Sequence, residues 1–246
     1  MRDDARGERE SRIGAVIAAA TRLLPEGGLL VEVGFDHGKI LYGALAARPD
    51  ARGLGIEVLP EVDHPRIPPE LAGRCRLVTG DGLDLLADTA EAASTVVIMA
   101  GLGARSIAAL LARHPTLVTR LCAVVLCPTF LEAELRPALR ALGLGLADEG
   151  LAFDRDRYYE VITARAAHLV PASASDLDPM LAAWGPRLFD QRDPLFPAFL
   201  RDARTRLAAA FARDLEAYAD GPKAALGQKL AGLDALLQRL ESTRRS

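Results

Sequence analysis

The sequence predicts an α/β protein, a mostly parallel sheet wound with helices, followed by a smaller helical unit. Three observations carry this. A buried-strand pattern around one acid, Leu29 to Val33, runs through a glycine loop (Gly34, Gly38) straight into a Leu- and Ala-rich helical run, Lys39 to Arg48. Further apolar segments recur down the chain, ending near Glu57, Thr79, Ala100 and Cys127. Beyond Pro171 the apolar register changes, and leucines at 226, 230, 233, 237 and 240 alternate steps of four and three, a heptad seam.

At 246 residues and half apolar, the chain can bury one α/β core and an appendage. Its formal charge is −3, so no overall basic field draws it to nucleic acid. Neither part is a polybasic arm: 19 basic residues face 23 acidic ones before His168, and 11 face 10 from there on. Any RNA contact therefore needs a local patch. Cys75, Cys122 and Cys127 form no C-x-x-C pair, which suits structural thiols in a reducing compartment and neither a disulfide nor a metal site. The opening MRDDARGERE is too charged for a signal peptide, and no apolar run nears the ~20 residues of a membrane span. The expectation is a soluble, cytoplasmic protein with no metal, as a monomer or homodimer.

In order, residues 1–10 read as frayed, and Ser11 as the N-cap of a helix from Arg12 to Leu24 that is closed by Pro25 and Gly27-Gly28. The first strand, the glycine loop and its helix follow. A second strand, Gly53 to Val58, ends in an acid about twenty residues beyond the loop, where Glu57 is placed to accept both ribose hydroxyls of a nucleoside, or is an ordinary solvated strand end. Leu59 to Gly73 holds four prolines, against a regular helix there, and its His64 reads as solvated. The third strand, Arg74 to Thr79, opens into Gly80-Asp81-Gly82, with Asp81 either an acceptor for an adenine amino group or a turn or helix cap. A fully apolar fourth strand, Ser94 to Ala100, runs into Gly101-Leu-Gly103 and a helix to Arg113. Cys122 to Cys127 is the fifth strand, broken at Pro128, with a helix from Leu131 to Leu142.

From Gly143 the pattern changes to an antiparallel hairpin, Leu144 to Phe153 and Tyr158 to Thr163, about an Asp154-Arg-Asp-Arg157 turn. Five βα units closed by an antiparallel pair are the layout of a Rossmann-like class I methyltransferase sheet; a dinucleotide domain would continue with parallel repeats. The predicted division is residues 1–170 as the cofactor domain and 171–246 as a helical domain. In the latter, Asp178 to Pro186 is a connector, and Pro197 to Ala219 with the leucine-seam helix forms an antiparallel, coiled-coil hairpin about Asp220-Gly-Pro222. Arg201, Arg204, Arg213, Lys223 and Lys229 form either a solvated face or an RNA surface.

Taken together these segments resemble the bacterial tRNA (adenine-22, N1)-methyltransferase family. Glu-Val-Gly-Phe-Asp-His at 32–37 stands where the family reads Asp-Ile-Gly-Ser-Asp-His. Ile56-Glu57-Val58, Gly80-Asp81-Gly82-Leu83 and Met99-Ala-Gly-Leu-Gly103 are similar to its next cofactor segments. Leu126-Cys-Pro128 takes the place of Leu-Gln-Pro-Asn, and Tyr159-Glu-Val-Ile162 that of Tyr-Glu-Ile-Ile. Trp184-Gly-Pro-Arg-Leu188 and Asp193-Pro-Leu-Phe196 resemble the family's connector, and the likeness spans nearly the whole chain. Departures fall at the rim: Phe35 for Ser, Gly38-Lys39 for Ala-Tyr, Ala104 for the second motif glycine and Thr129 for Asn.

The resemblance implies methyl transfer from S-adenosylmethionine to N1 of an adenine in the tRNA D-arm corner. The implied cofactor wall is Glu32, Gly34, Phe35, Asp36, Glu57, Val58, Gly80, Asp81, Gly82, Ala100, Gly101 and Gly103. Such an enzyme must extrude the base and align it with the methyl, and an acceptor for the exocyclic amine would offset the charge that develops on the ring. Asp36 and His37 are the catalytic candidates, Asp36 accepting from base or cofactor and His37 positioning base or phosphate; their other reading is loop scaffolding ahead of the helix at Lys39. Phe35 and Lys39 would supply stacking and charge in place of the missing tyrosine. Two other readings stay open: a diverged, inactive cofactor- or RNA-binding paralogue, and a methyltransferase for another substrate.

Overall fold

The computed structural model describes residues 11–59, 66–129, 135–213 and 221–243. The expectations at residues 1–10, at His64, at the start of the helix from Leu131 and at the Asp220 turn lie outside these. Two compact units divide the chain, Met1–Pro171 and Ala172–Ser246.

The first unit opens with α1 (Arg12–Leu23), whose first turn is capped by Ser11 accepting the Gly14 amide at 3.1 Å. Then come β1 (Leu29–Val33), α2 (Lys39–Ala47), β2 (Arg52–Glu57) and β3 (Cys75–Thr79). Between β2 and β3 the described part of the proline-rich segment makes only a single 3-10 turn, Pro69–Leu71, where Pro68 and Pro69 bring no amide protons. β4 (Thr95–Ala100), α3 (Ala104–Ala112), α4 (Pro115–Val118), β5 (Ala123–Cys127), α5 (Leu135–Ala141), β6 (Leu144–Asp154) and β7 (Arg157–Ala166) follow.

Among the described residues seven strands form one sheet in the order β3-β2-β1-β4-β5-β7-β6. β1 to β5 are parallel, and β7 and β6 antiparallel. Every residue of β4 and β5 is buried, as parallel strands covered on both faces must be. Val16, Leu41 and Leu45 of α1 and α2 cover one face, and Ile107, Leu111 and Leu139 of α3 and α5 the other. Registers of Val33 on Ile56 and Met99, Glu57 on Thr79, and Ala100 on Cys127 bring the carboxyl ends of five strands out level. Chain order reverses between β1 and β4, and the crevice at such a switch point is where open α/β sheets take ligands.

The hairpin turns in two residues. Asp154 pairs with Arg157, and Arg155 and Asp156 between them have φ of 48° and 60°, the double positive of a type I′ turn. α5 is tied to the hairpin by a buried triad, in which Arg136 reaches Glu149 at 2.7 Å and also pairs with Glu160.

In the second unit the expected connector is not irregular. It forms α6 (Pro179–Trp184), capped by Asp178, and α7 (Pro186–Asp190), separated at Gly185, whose φ is 126°. α8 (Phe196–Arg213) and α9 (Gly221–Thr243) are antiparallel: Arg204 pairs with Asp234, and Gly227 faces the Phe211 ring. The leucine seam needs a correction, because Leu233 and Leu236 are the fully buried pair and Leu237 is half-buried. α9 packs against α6 at Gly232 and Met180 as well as against α8, so two neighbours set its buried stripe. Of the expected basic face, Arg204 is already paired to Asp234. No helix among the described residues is long and apolar enough to cross a membrane.

Candidate active site

The level strand ends open into a cavity of 690 Å³ in the first unit. Its floor is Glu32, in β1. The carboxylate is 3% exposed and accepts the Leu41 amide of α2 at 2.9 Å. Burial pushes its pKa up to about 8, the Leu41 hydrogen bond opposing. Beyond it the chain turns at Gly34, with φ of 74°, its amide bonded to the Ile56 carbonyl at 2.8 Å. A left-handed glycine lets the β1 loop lie against the Leu102 side chain, 3.6 Å from where a Cβ would stand.

Asp36 and His37 stand at the cavity mouth with side chains 78% and 73% exposed, 3.7 Å apart. Asp36 has φ of 43°, an uncommon conformation for a residue with a side chain. Neither caps α2, whose N-cap is Gly38 with no side-chain hydrogen bond. Phe35 needs a correction as a stacking group. Its ring is 2% exposed and lies over β2, where a Cβ on Gly55 would meet it at 2.8 Å. The ring supports the loop from beneath, and only Lys39 of the proposed replacements is at the surface.

At the tip of β2, Glu57 accepts the amides of Val58 and Leu59 at 2.9 and 3.2 Å, which fixes its carboxylate beside the cavity. Gly80, Asp81 and Gly82 line the next loop. Asp81 is held by Arg113 at 2.8 Å, and Arg113 also grips Asp84. On the far side Ala100 and Gly101 form the wall, and Gly103 lies off it as the N-cap of α3. The Thr129 hydroxyl, where the family has Asn, donates to the Gly101 carbonyl at 2.6 Å, and its amide bonds the Leu102 carbonyl at 2.9 Å. This stitch holds the β4 loop to the end of β5.

Sequence reasoning missed the wall formed by Arg12, Leu102, Leu110, Asp154, Arg155 and Tyr159. Arg12 reads as the exposed first turn of a helix and Asp154-Arg155 as a plain turn. Only the fold brings residues so distant in sequence to one cavity.

Residues 13–162 match the family model described as a methyltransferase domain. The chain belongs to that family. This methyltransferase has a cavity that fits the donor S-adenosylmethionine, a sulfonium cation with a ribose and an amino-acid end. Asp36, Glu57, Asp81 and Asp154 line the cavity with the cations Arg12, Lys39 and Arg155, and Glu32 lies among them as a buried acid that an arriving cationic group would ionise. Glu32 has the chemistry to take an ammonium group, and Glu57, at a strand tip in the cavity lining, has the acceptor oxygens a ribose diol needs.

Among solved structures the methyltransferase is similar to a Streptococcus pneumoniae protein in complex with S-adenosyl-L-methionine, at 20% identity and TM-score 0.68, covering 91% of this chain and 98% of that one. It is similar to the B. subtilis M1A22 tRNA methyltransferase TrmK at 18% and TM-score 0.64, over 92% and 96% of the two chains. It also resembles M. capricolum TrmK in complex with S-adenosylhomocysteine at 12% and TM-score 0.69, over 90% and 96%. At these identities the likeness establishes the fold. No curated protein matches the sequence.

Proposed function

We propose that this methyltransferase modifies N1 of an adenine in tRNA, the adenine-22 of the D-arm corner, in the cytoplasm. The observation that carries the reading is the fold shared over nine-tenths of the chain with the B. subtilis and Streptococcus pneumoniae structures, whose descriptions name m1A22 tRNA methyltransferases. The motif likeness at 32–37, 80–83, 99–103 and 159–162 supports it. In this reading residues 1–170 bind the cofactor and residues 171–246 form a helical domain that meets the tRNA.

S-adenosylmethionine supplies an electrophilic methyl. The chain's own work is to bind and orient. Glu32 neutralises the positive end of the donor, Glu57 accepts its ribose hydroxyls, and Asp81, held by Arg113, accepts from its adenine. N1 of neutral adenine carries its own lone pair, so no base must remove a proton from it. Asp36, at the mouth and free to swing, accepts from the exocyclic amine as the ring becomes cationic, and His37 steadies base or phosphate.

The test has two parts. Titration calorimetry with S-adenosylmethionine should give micromolar binding that Glu57→Ala weakens about tenfold or more, as loss of a charged hydrogen bond implies. Unmodified tRNA should then acquire N1-methyladenosine at position 22. Binding without that product would end the substrate assignment, and tRNA methylation by residues 1–170 alone would end the role given to the helical domain.

A further inference from the structure

Arg12 and Arg157 both stand over the ring of Tyr159, their guanidinium carbons 5.3 and 5.7 Å from its centroid. One comes from the first turn of α1 and the other two from β7. Two cations on one ring repel each other, and among the described residues neither is ion-paired to a carboxylate. The Arg12 guanidinium reaches to 3.2 Å from where a Cβ on Gly101 would be, against the loop that Thr129 stitches, and its buried Nε has no hydrogen-bond partner. Arg12, Arg155 and Tyr159 line the cavity, and Arg157 is exposed beside them.

The turn adds an independent sign. Asn-Gly would make a two-residue type I′ turn without strain, yet Arg155 holds φ of 48° at its tip and lines the cavity. The cavity is thus divided by charge. Glu32, Glu57 and Asp81 occupy the ends of the first three strands. On the hairpin side Arg12 and Arg155 line the cavity with Asp154, and Arg157 and Asp156 are exposed beside them. A ligand for that side must be anionic and tolerate planar stacking, and a polynucleotide backbone with a base beside it has both properties.

We propose that the Arg12–Tyr159–Arg157 stack, with Arg155 at the hairpin tip, is the RNA-gripping wall of the site. The guanidinium groups take the phosphodiester flanking the acceptor nucleotide and hold that nucleotide out of its stack. This inference rests on the RNA reading above and names the residues that contact the RNA.

The test uses the full-length chain with Arg155→Gln, Arg157→Gln and the double variant, all at exposed side chains. Fluorescence anisotropy measures binding of a short single-stranded RNA and of unmodified tRNA across a salt series, and calorimetry measures S-adenosylmethionine binding. Each substitution should weaken RNA binding about three- to tenfold and lower the slope of log K against log salt by about 0.7–0.9. Donor affinity should hold, Arg157→Lys should recover part of the loss, and the effect should fall on KM for tRNA more than on kcat. RNA affinity and slope unchanged in the double variant, or no RNA binding by wild type, would overturn the proposal. So would loss of donor affinity in step with RNA affinity. If the arginines matter for RNA binding but no adenine-22 is methylated, the wall stands and the substrate assignment falls.

Discussion

The carboxylate of Glu32, buried under the cavity, accepts the backbone amide of Leu41 at 2.9 Å and so hangs the first turn of α2 on the end of β1. Its pKa lies at about 8 against an ordinary 4.5. The folded state therefore holds a proton that the unfolded chain releases between those values, and stability falls as pH rises through that window. The shift corresponds to a loss on the order of a few kcal/mol. Denaturant unfolding at pH 5, 7 and 8.5 should show this decline, and Glu32→Gln should flatten it. An equal decline in the variant would mean that another group is responsible. Donor binding near pH 7 should release a proton to buffer, because an arriving ammonium favours the ionised acid.

The triad of Arg136 with Glu149 and Glu160 joins α5 to both hairpin strands in a dry setting. Arg136→Leu strands two buried carboxylates and should cost about 3–5 kcal/mol. Adding Glu149→Leu and Glu160→Leu should restore much of the loss. Denaturant midpoints of the single and triple variants test this; a single variant as stable as wild type would show that the carboxylates find water or protons without cost.

Asp156 has φ of 60° in the hairpin turn. Asp156→Gly removes that cost and should raise stability by up to about 1 kcal/mol, read as a higher thermal midpoint. Destabilisation would show that the Asp156 side chain holds the turn.

Gly55 lies beneath the site loop, where a Cβ would stand 2.8 Å from the Phe35 ring and 2.7 Å from Leu77. Gly55→Ala should destabilise by about 1–3 kcal/mol and displace Phe35, and with it Asp36. Calorimetry should show weaker donor binding than the stability loss alone produces. Unchanged affinity would separate the packing of Phe35 from the geometry of the loop.

The parallel sheet is legible because its signal is local: a continuous apolar run, a glycine and a helical period are written side by side at 29–48 and 95–112. The hairpin was legible by its alternation and polar turn. Phe35 was not, since a side chain after a glycine in a loop reads as exposed, and only the gap left by Gly55 on the adjacent strand lets its ring turn inward. Leu236 was missed because a heptad rule assumes one partner helix and α9 has two. Arg12 carries no local mark, because its role depends on a strand end and a hairpin found far along the chain.

The three cysteines are all unpaired and buried, at 3, 7 and 0% exposure, and burial pushes each thiol above its ordinary pKa. Thiol reagents at neutral pH should thus find almost nothing to modify in the folded protein. A cysteine placed at Arg157 would be the single reactive position on an otherwise silent molecule. A fluorophore or spin label attached there gives up the Arg157 charge but reports on arrivals at the hairpin side of the cavity, with no background to subtract and no native cysteine to remove.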